Sequence, residues 1–142
     1  MLSIEHRVRV FVFQILGPEV EILLLRHKPR EEWPLGPIIG PIGLAEQTHE
    51  AIVREVREET GRKNPHHIID LTEPSKELFG DIGLIEWSFA YQASLPGQPS
   101  PGIVPGPSIG EYRWLTFEQA FREVDTSYDR EALVRLRLDV GA

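Results

Sequence analysis

Hydrophobic and polar positions alternate from Arg7 and then merge into an apolar run through Leu16 (RVRVFVFQIL), which predicts a strand rich in β-branched and aromatic residues. Gly17-Pro18 is a turn signal. Glu21 to Arg26 (EILLLR) predicts a second strand, buried on both faces and paired with the first as a hairpin. The segment HKPREEWPLGPIIGPIG is dense in proline and glycine and predicts a loop. A helix follows, with Thr48 as its expected N-cap, Gly61 as its stop, and Ile52, Val53, Val56 and Thr60 on the sheet-facing side. Ile68 to Leu71, Lys76 to Phe79 and Ile85 to Ala93 predict further strands. Leu95 to Gly110 holds five of the chain's twelve prolines and four of its twelve glycines, so it is neither helix nor central strand. It predicts a long surface loop near the site. Tyr112 to Leu115 predicts a short strand, Thr116 opens a helix with Gln119 in capping-box position, and a last helix runs from about Ser127 to Asp139. Strands and helices in one chain predict an α/β (α+β) fold.

Composition narrows the functions. A chain of 142 residues fits one domain spanning 1–142, and 41% hydrophobic residues suffice for a core. The net charge of −7 argues against gripping a nucleic-acid polymer along its phosphates. A small phosphorylated substrate stays open, because a bound metal inverts the local field. The absence of cysteine excludes disulfides, thiolate metal sites and a cysteine nucleophile. No apolar run approaches the roughly 20 residues of a membrane span, and MLSIEHRVRV does not resemble a signal peptide. The expected location is cytoplasmic.

The predicted helix gathers Glu55, Glu58 and Glu59 at i, i+3 and i+4 on one face. Like charges so spaced cost an exposed helix only about 0.2–0.5 kcal/mol per pair, so a solvated acidic face is one reading. The other is a site for a hard cation, which takes carboxylate oxygens, waters and substrate phosphates. The surrounding spacing bears on the choice: Gly40, five residues, Glu46, seven residues, then Arg54-Glu55-Val56-Arg57-Glu58-Glu59-Thr60-Gly61. This resembles the Nudix box, G-x5-E-x7-R-E-U-x-E-E-x-G-U, where U is a bulky aliphatic residue. All seven fixed residues are present, a coincidence of about one in 10⁸ per register at ordinary residue frequencies. Arg62 stands where an aliphatic residue is expected, and Ala45 where relatives often place glycine. VRVFVFQI and EILLLRHK before the box, and EYRWLTFEQAFREV after it, resemble the flanking strands and helices of the same family.

The resemblance implies a Nudix fold, a mixed β-sheet sandwiched between α-helices, and a metal-dependent pyrophosphohydrolase with Mg²⁺ or Mn²⁺. It implies that Glu58 and Glu59 are metal ligands, that Glu55 is a further ligand or the proton acceptor, and that the Gly40 backbone carbonyl adds a metal bond. Arg54 would orient the first glutamate, and Glu46 and Gly61 would support the box. Many relatives carry a general base in the loop before the YRWL-like strand. The acid there is Glu111, which an exposed strand-entrance residue would explain equally well. Arg7 and Arg9, at i and i+2 on one side of the first strand, are candidates for phosphate contact or for surface charge. Trp33, Phe89 and Tyr91 are candidates for nucleobase stacking or for core packing. His66-His67 reads as loop surface and Trp114 as core.

The tail pattern resembles two subfamilies: dATP or dihydroneopterin triphosphate pyrophosphohydrolases, and diadenosine tetraphosphate hydrolases. The second often has an acidic residue a few positions before YRWL, where this chain has Ser108. A nucleotide-sensing Nudix domain that does not cut is the reading of another class, and its members often lose box glutamates that this chain keeps. The expected partner is a small nucleotide-like phosphate compound rather than a nucleic acid or a membrane, and monomer and homodimer both fit.

Overall fold

The computed structural model describes residues 2–28 and 32–140. Positions 29–31, inside the first proline-rich loop, lie outside the described residues, as do Met1 and 141–142. The elements in chain order are β1 (Ser3–Leu16), β2 (Glu19–His27), β3 (Ile38–Pro41), α1 (Thr48–Thr60), β4 (His67–Asp70), β5 (Ser75–Phe79), β6 (Ile82–Gln92), β7 (Ile109–Thr116), α2 (Phe117–Glu123) and α3 (Ser127–Asp139). The strands form one mixed sheet in the order β4-β6-β1-β2-β7, with β3 pairing β1 and β5 pairing β6. β1 and β6 run parallel; the other pairings are antiparallel.

Alternation along β1 divides the core into two layers, because successive strand residues face opposite sides. Val8, Val10 and Val12 join Leu23, Leu25, Phe89 and Tyr91 beneath Ala51, Ile52 and Val56 of α1. Phe11 and Phe13 join Ile22, Leu24 and Ala90 against Ala120, Val124, Ala132, Leu133 and Leu136 of the α2–α3 side. Ile22 to Leu25 of β2 are therefore buried on both faces, as their unbroken apolar run predicts. The β1–β2 hairpin closes with Leu16 opposite Glu19. Gly17 takes φ 61° ahead of Pro18, as a two-residue turn favours.

The structure corrects two local expectations. The N-cap of α1 is Gln47, not Thr48: the Gln47 side chain accepts from the third helical amide, and Glu50 returns a bond to the Gln47 N–H at 2.9 Å. This is the reciprocal pairing of a capping box with an amide in place of a hydroxyl. The loop after β2 also contains β3, a four-residue strand that its glycines and prolines conceal. Gly61 ends α1 in the left-handed conformation at φ 77°, and its N–H donates to Arg57 O at 2.9 Å.

Candidate active site

Gly40 and Glu55 pack against each other at the start of the site. Gly40 lies in β3 opposite Val8, on the sheet face that α1 covers. A Cβ built on Gly40 would lie 2.0–2.4 Å from the Glu55 carboxyl atoms. Only glycine leaves room for that carboxylate to pack on the strand backbone. Glu55 is accordingly buried, 7% exposed. Burial raises its pKa above the usual carboxylate value, against the opposing pull of Arg54.

Arg54 ties the entry loop to the helix. Its Nη1 donates to Glu55 Oε1 at 2.7 Å, its Nε to Glu46 Oε2 at 2.8 Å, and its Nη2 to Glu46 Oε1 at 3.0 Å and to Pro41 O at 2.8 Å. Glu46 also accepts from the Gly43 N–H at 2.8 Å. Its pKa is held down to about 2, first by the Arg54 hydrogen bonds and then by the Gly43 amide. Arg54 is correspondingly held above its ordinary value, chiefly by Glu46. The loop from Gly40 to Gln47, the glutamate inside it and Glu55 of the helix thus share one guanidinium. Ala45 meets its turn with φ 62°, a conformation its Cβ disfavours and glycine would take freely.

Glu58 is half-exposed and lies 3.7 Å from Arg54. Glu59 Oε2 is 2.9 Å from His27 Nε2 at the end of β2. Among the described residues, no three acidic or histidine side chains converge as a preformed metal cage. The donor set is nevertheless all oxygen on one helix face, with a glycine cradle behind its first member. That chemistry suits Mg²⁺ or Mn²⁺ and not a thiophilic metal.

Glu111 sits in β7 opposite Arg26 of β2. Its carboxylate accepts from Arg26 Nη1, and from Arg113 Nε at 2.6 Å. The acid expected as a general base is therefore an ion-paired strand residue beside a cleft of about 470 Å³ lined by Arg26, His27, Lys28, Gly110 and Glu111. A cavity of about 1000 Å³ lies at the other end of α1 around Thr48, His49 and Ile52 and contains none of the box carboxylates.

Two substrate-contact expectations do not survive. Arg9 does share a side of β1 with Arg7, but that side faces α3. The Arg9 guanidinium donates to Asp129 at 2.6 and 2.9 Å and to Glu86 at 3.1 Å, and is only 13% exposed. Burial works against its charge, and the Asp129 hydrogen bonds more than restore it. Tyr91 is fully buried in the α1-side core, so it cannot stack a base, and its hydroxyl lacks a hydrogen-bond partner among the described residues. Arg7 is partly exposed and 3.6 Å from Glu5. Trp33 is half-exposed, and its carbonyl accepts from Arg26 Nε at 2.5 Å. Phe89 and Trp114 pack with the α1-side core, and His66 and His67 are exposed. His27 and Arg26 were not among the expected site residues. Their signal was the cationic RHK run that closes an apolar strand.

The family model for the NUDIX domain matches residues 5–136. The chain belongs to the NUDIX family and, with it, to the Nudix hydrolases. No curated protein matches by sequence. Among solved structures, a chain from Listeria monocytogenes described as a NUDIX hydrolase is 18% identical with a TM-score of 0.77, over 95% of this chain and 94% of that one. The E. coli dihydroneopterin triphosphate pyrophosphohydrolase is 19% identical with a TM-score of 0.73, over 94% and 95%. A C. elegans Ap4A hydrolase is 15% identical with a TM-score of 0.72, over 96% and 97%. At these identities the likeness is one of fold.

Proposed function

We propose that this chain is a divalent-metal-dependent pyrophosphohydrolase that cleaves a nucleoside di- or triphosphate-type substrate, of the dATP or dihydroneopterin triphosphate kind, by attack of water at phosphorus. The observation that carries the proposal is the packing of Glu55 on Gly40, locked by the Arg54 bridge to Glu46. A solvated acidic face needs neither a glycine cradle nor a buried carboxylate. Glu58 and Glu59, with Glu55 and the Gly40 carbonyl, would hold Mg²⁺ or Mn²⁺. When bound, the cation supplies charge neutralisation at the phosphate oxygens and acidifies the attacking water. Arg54 fixes the direction of Glu55, so that little reorganisation accompanies the reaction. Glu55, buried and held by one guanidinium, is the better placed proton acceptor; Glu111 is held by two.

The cleft of Arg26, His27 and Lys28 offers positive charge beside Glu59 for a phosphate chain. Ser108, where an acid would accompany diadenosine tetraphosphate hydrolysis, favours the triphosphate reading over that alternative. A non-cutting nucleotide sensor is the reading of another class, and the intact set of box acids weighs against it. We take the whole of 1–142 as one NUDIX domain acting in the cytoplasm on small molecules.

The test is a panel of dATP and other dNTPs, dihydroneopterin triphosphate, diadenosine tetraphosphate, ADP-ribose and NADH, with Mg²⁺ or Mn²⁺, beside Glu58→Gln. Turnover that vanishes without metal and collapses in the variant supports the hydrolase. Nucleotide binding without turnover of any compound supports the sensor instead.

A further inference from the structure

The proline-rich segment between β6 and β7 does not project into solvent as a free loop. The Val104 N–H donates to Thr60 O at 2.9 Å, and the Gly106 N–H to Glu59 O at 3.2 Å. These carbonyls close the last turn of α1, where a helix has no internal donors left to offer. The same segment reaches β2: Ser108 O accepts from Lys28 N at 2.8 Å. It therefore bridges the two elements whose side chains meet in the 2.9 Å contact of His27 and Glu59. Its other end is pinned to β1 by Gly97 N–H on Ile15 O at 2.8 Å and by Ser100 N–H on Gln14 Oε1 at 2.7 Å. Four prolines between these anchors remove conformations the segment would otherwise lose on docking.

We propose that this segment is a strap that positions Glu58 and Glu59, with Gly106 and Val104 as its positioning residues. Gly106 is glycine for a steric reason. A Cβ there would lie 2.6 Å from the Glu58 carbonyl oxygen and 3.4 Å from Glu59 Oε1. Backbone on both sides leaves that contact no cheap way to relax. Val104 packs on the other side of the turn, its Cβ 3.0 Å from where a Cβ of Gly61 would stand. A helix end held from outside keeps adjacent carboxylates in one orientation, whereas an uncapped end frays.

The inference rests on the pyrophosphohydrolase reading only for the consequence in rate. Its physical content is tested through Mn²⁺ binding, followed by electron paramagnetic resonance, in Gly106→Ala and in Gly102→Ala. Gly102 lies in the same strap with nothing within 4 Å of an added Cβ, so it controls for altering the segment at all. The expected result is roughly tenfold or greater weakening of Mn²⁺ in Gly106→Ala, the size seen when a group supporting metal ligands is lost. Gly102→Ala should bind like the wild type. On a substrate from the panel, kcat should fall in Gly106→Ala while KM changes less than about twofold, as loss of positioning alone predicts. Should Gly106→Ala not fold, amide exchange in the wild type decides: Val104 and Gly106 should be protected as strongly as the last turn of α1. Unchanged Mn²⁺ affinity in folded Gly106→Ala, or free exchange of the Val104 amide, would overturn the strap. No Mn²⁺ binding by the wild type would overturn strap and hydrolase together. Mn²⁺ binding that weakens in Gly106→Ala, without hydrolysis of any substrate, would keep the strap and remove the hydrolase.

Discussion

Replacing Gly40 by alanine tests the contact at the centre of the site. The new Cβ would stand 2.0 Å from Glu55 Cδ and 2.2 and 2.4 Å from its oxygens, where real Cβ atoms essentially never come under 3.0 Å. About 1 Å of movement is required. Either β3 leaves β1, or the Glu55 carboxylate swings off its 2.7 Å bond to Arg54. Overpacking of this kind costs about 1–3 kcal/mol. A lost hydrogen bond to a charged group costs about 1.5–3 kcal/mol. Removing glycine from a strand returns about 0.5–1 kcal/mol of chain entropy. The net expectation is a loss of about 2–5 kcal/mol, and a melting temperature lower by roughly 3 °C for each kcal/mol in a chain of this size. Urea and thermal unfolding of Gly40→Ala beside Gly36→Ala measure it, since Gly36 has open space for a Cβ and no positive φ. Gly36→Ala should lie within about 0.5 kcal/mol of the wild type. If Gly40→Ala did the same and kept full activity, the claim that this glycine exists to seat Glu55 would be wrong.

Three further predictions follow from the same structure. Glu46 has a folded pKa of about 2 against an ordinary value of 4.5, so its contribution to stability is present above about 4.5 and is lost as pH falls through about 2; in Arg54→Gln the Glu46 carboxyl should titrate closer to 4.5 by NMR, and an unmoved titration would exclude Arg54 as the main cause. Arg9→Met should cost about 3–5 kcal/mol by leaving Asp129 and Glu86 uncompensated, with KM of the folded enzyme unchanged; a large rise in KM at normal stability would restore Arg9 as a phosphate contact. Tyr91→Phe removes a buried hydroxyl without a partner among the described residues and should be neutral or stabilising by up to about 1 kcal/mol in denaturant unfolding, whereas a clear loss would reveal a partner for that hydroxyl.

The elements readable from the chain were those whose signal is local. The β1–β2 hairpin, the α1 stop at Gly61, the Thr116–Gln119 capping box and the α3 span follow from apolar period and cap chemistry, and the structure places them as expected. β3 was not legible because four residues among prolines and glycines carry no period; pairing with β1 makes them a strand. β1 begins at Ser3 rather than Arg7 because β6 lies parallel to it from Ile82 onward, a partner distant in sequence. The i, i+2 relation put Arg7 and Arg9 on one side of the strand, but which helix covers that side is a tertiary fact. The box spacing brought Gly40, Glu46, Arg54 and Glu55 together on paper, and the structure brings them into contact. It could not reveal that Glu111 meets two arginines or that Glu59 meets His27, since both depend on strand register. The strap's anchors on α1 and β2 are backbone bonds, which side-chain pattern does not encode.

The most direct test of the central claim is phosphorus NMR of dATP and of dihydroneopterin triphosphate with Mg²⁺, using wild type and Glu58→Gln. The account predicts a monophosphate and pyrophosphate from one of them with the wild type, no reaction after chelation of the metal, and a loss of at least about a hundredfold in the variant. Equal turnover by Glu58→Gln, or turnover that persists without metal, would contradict it.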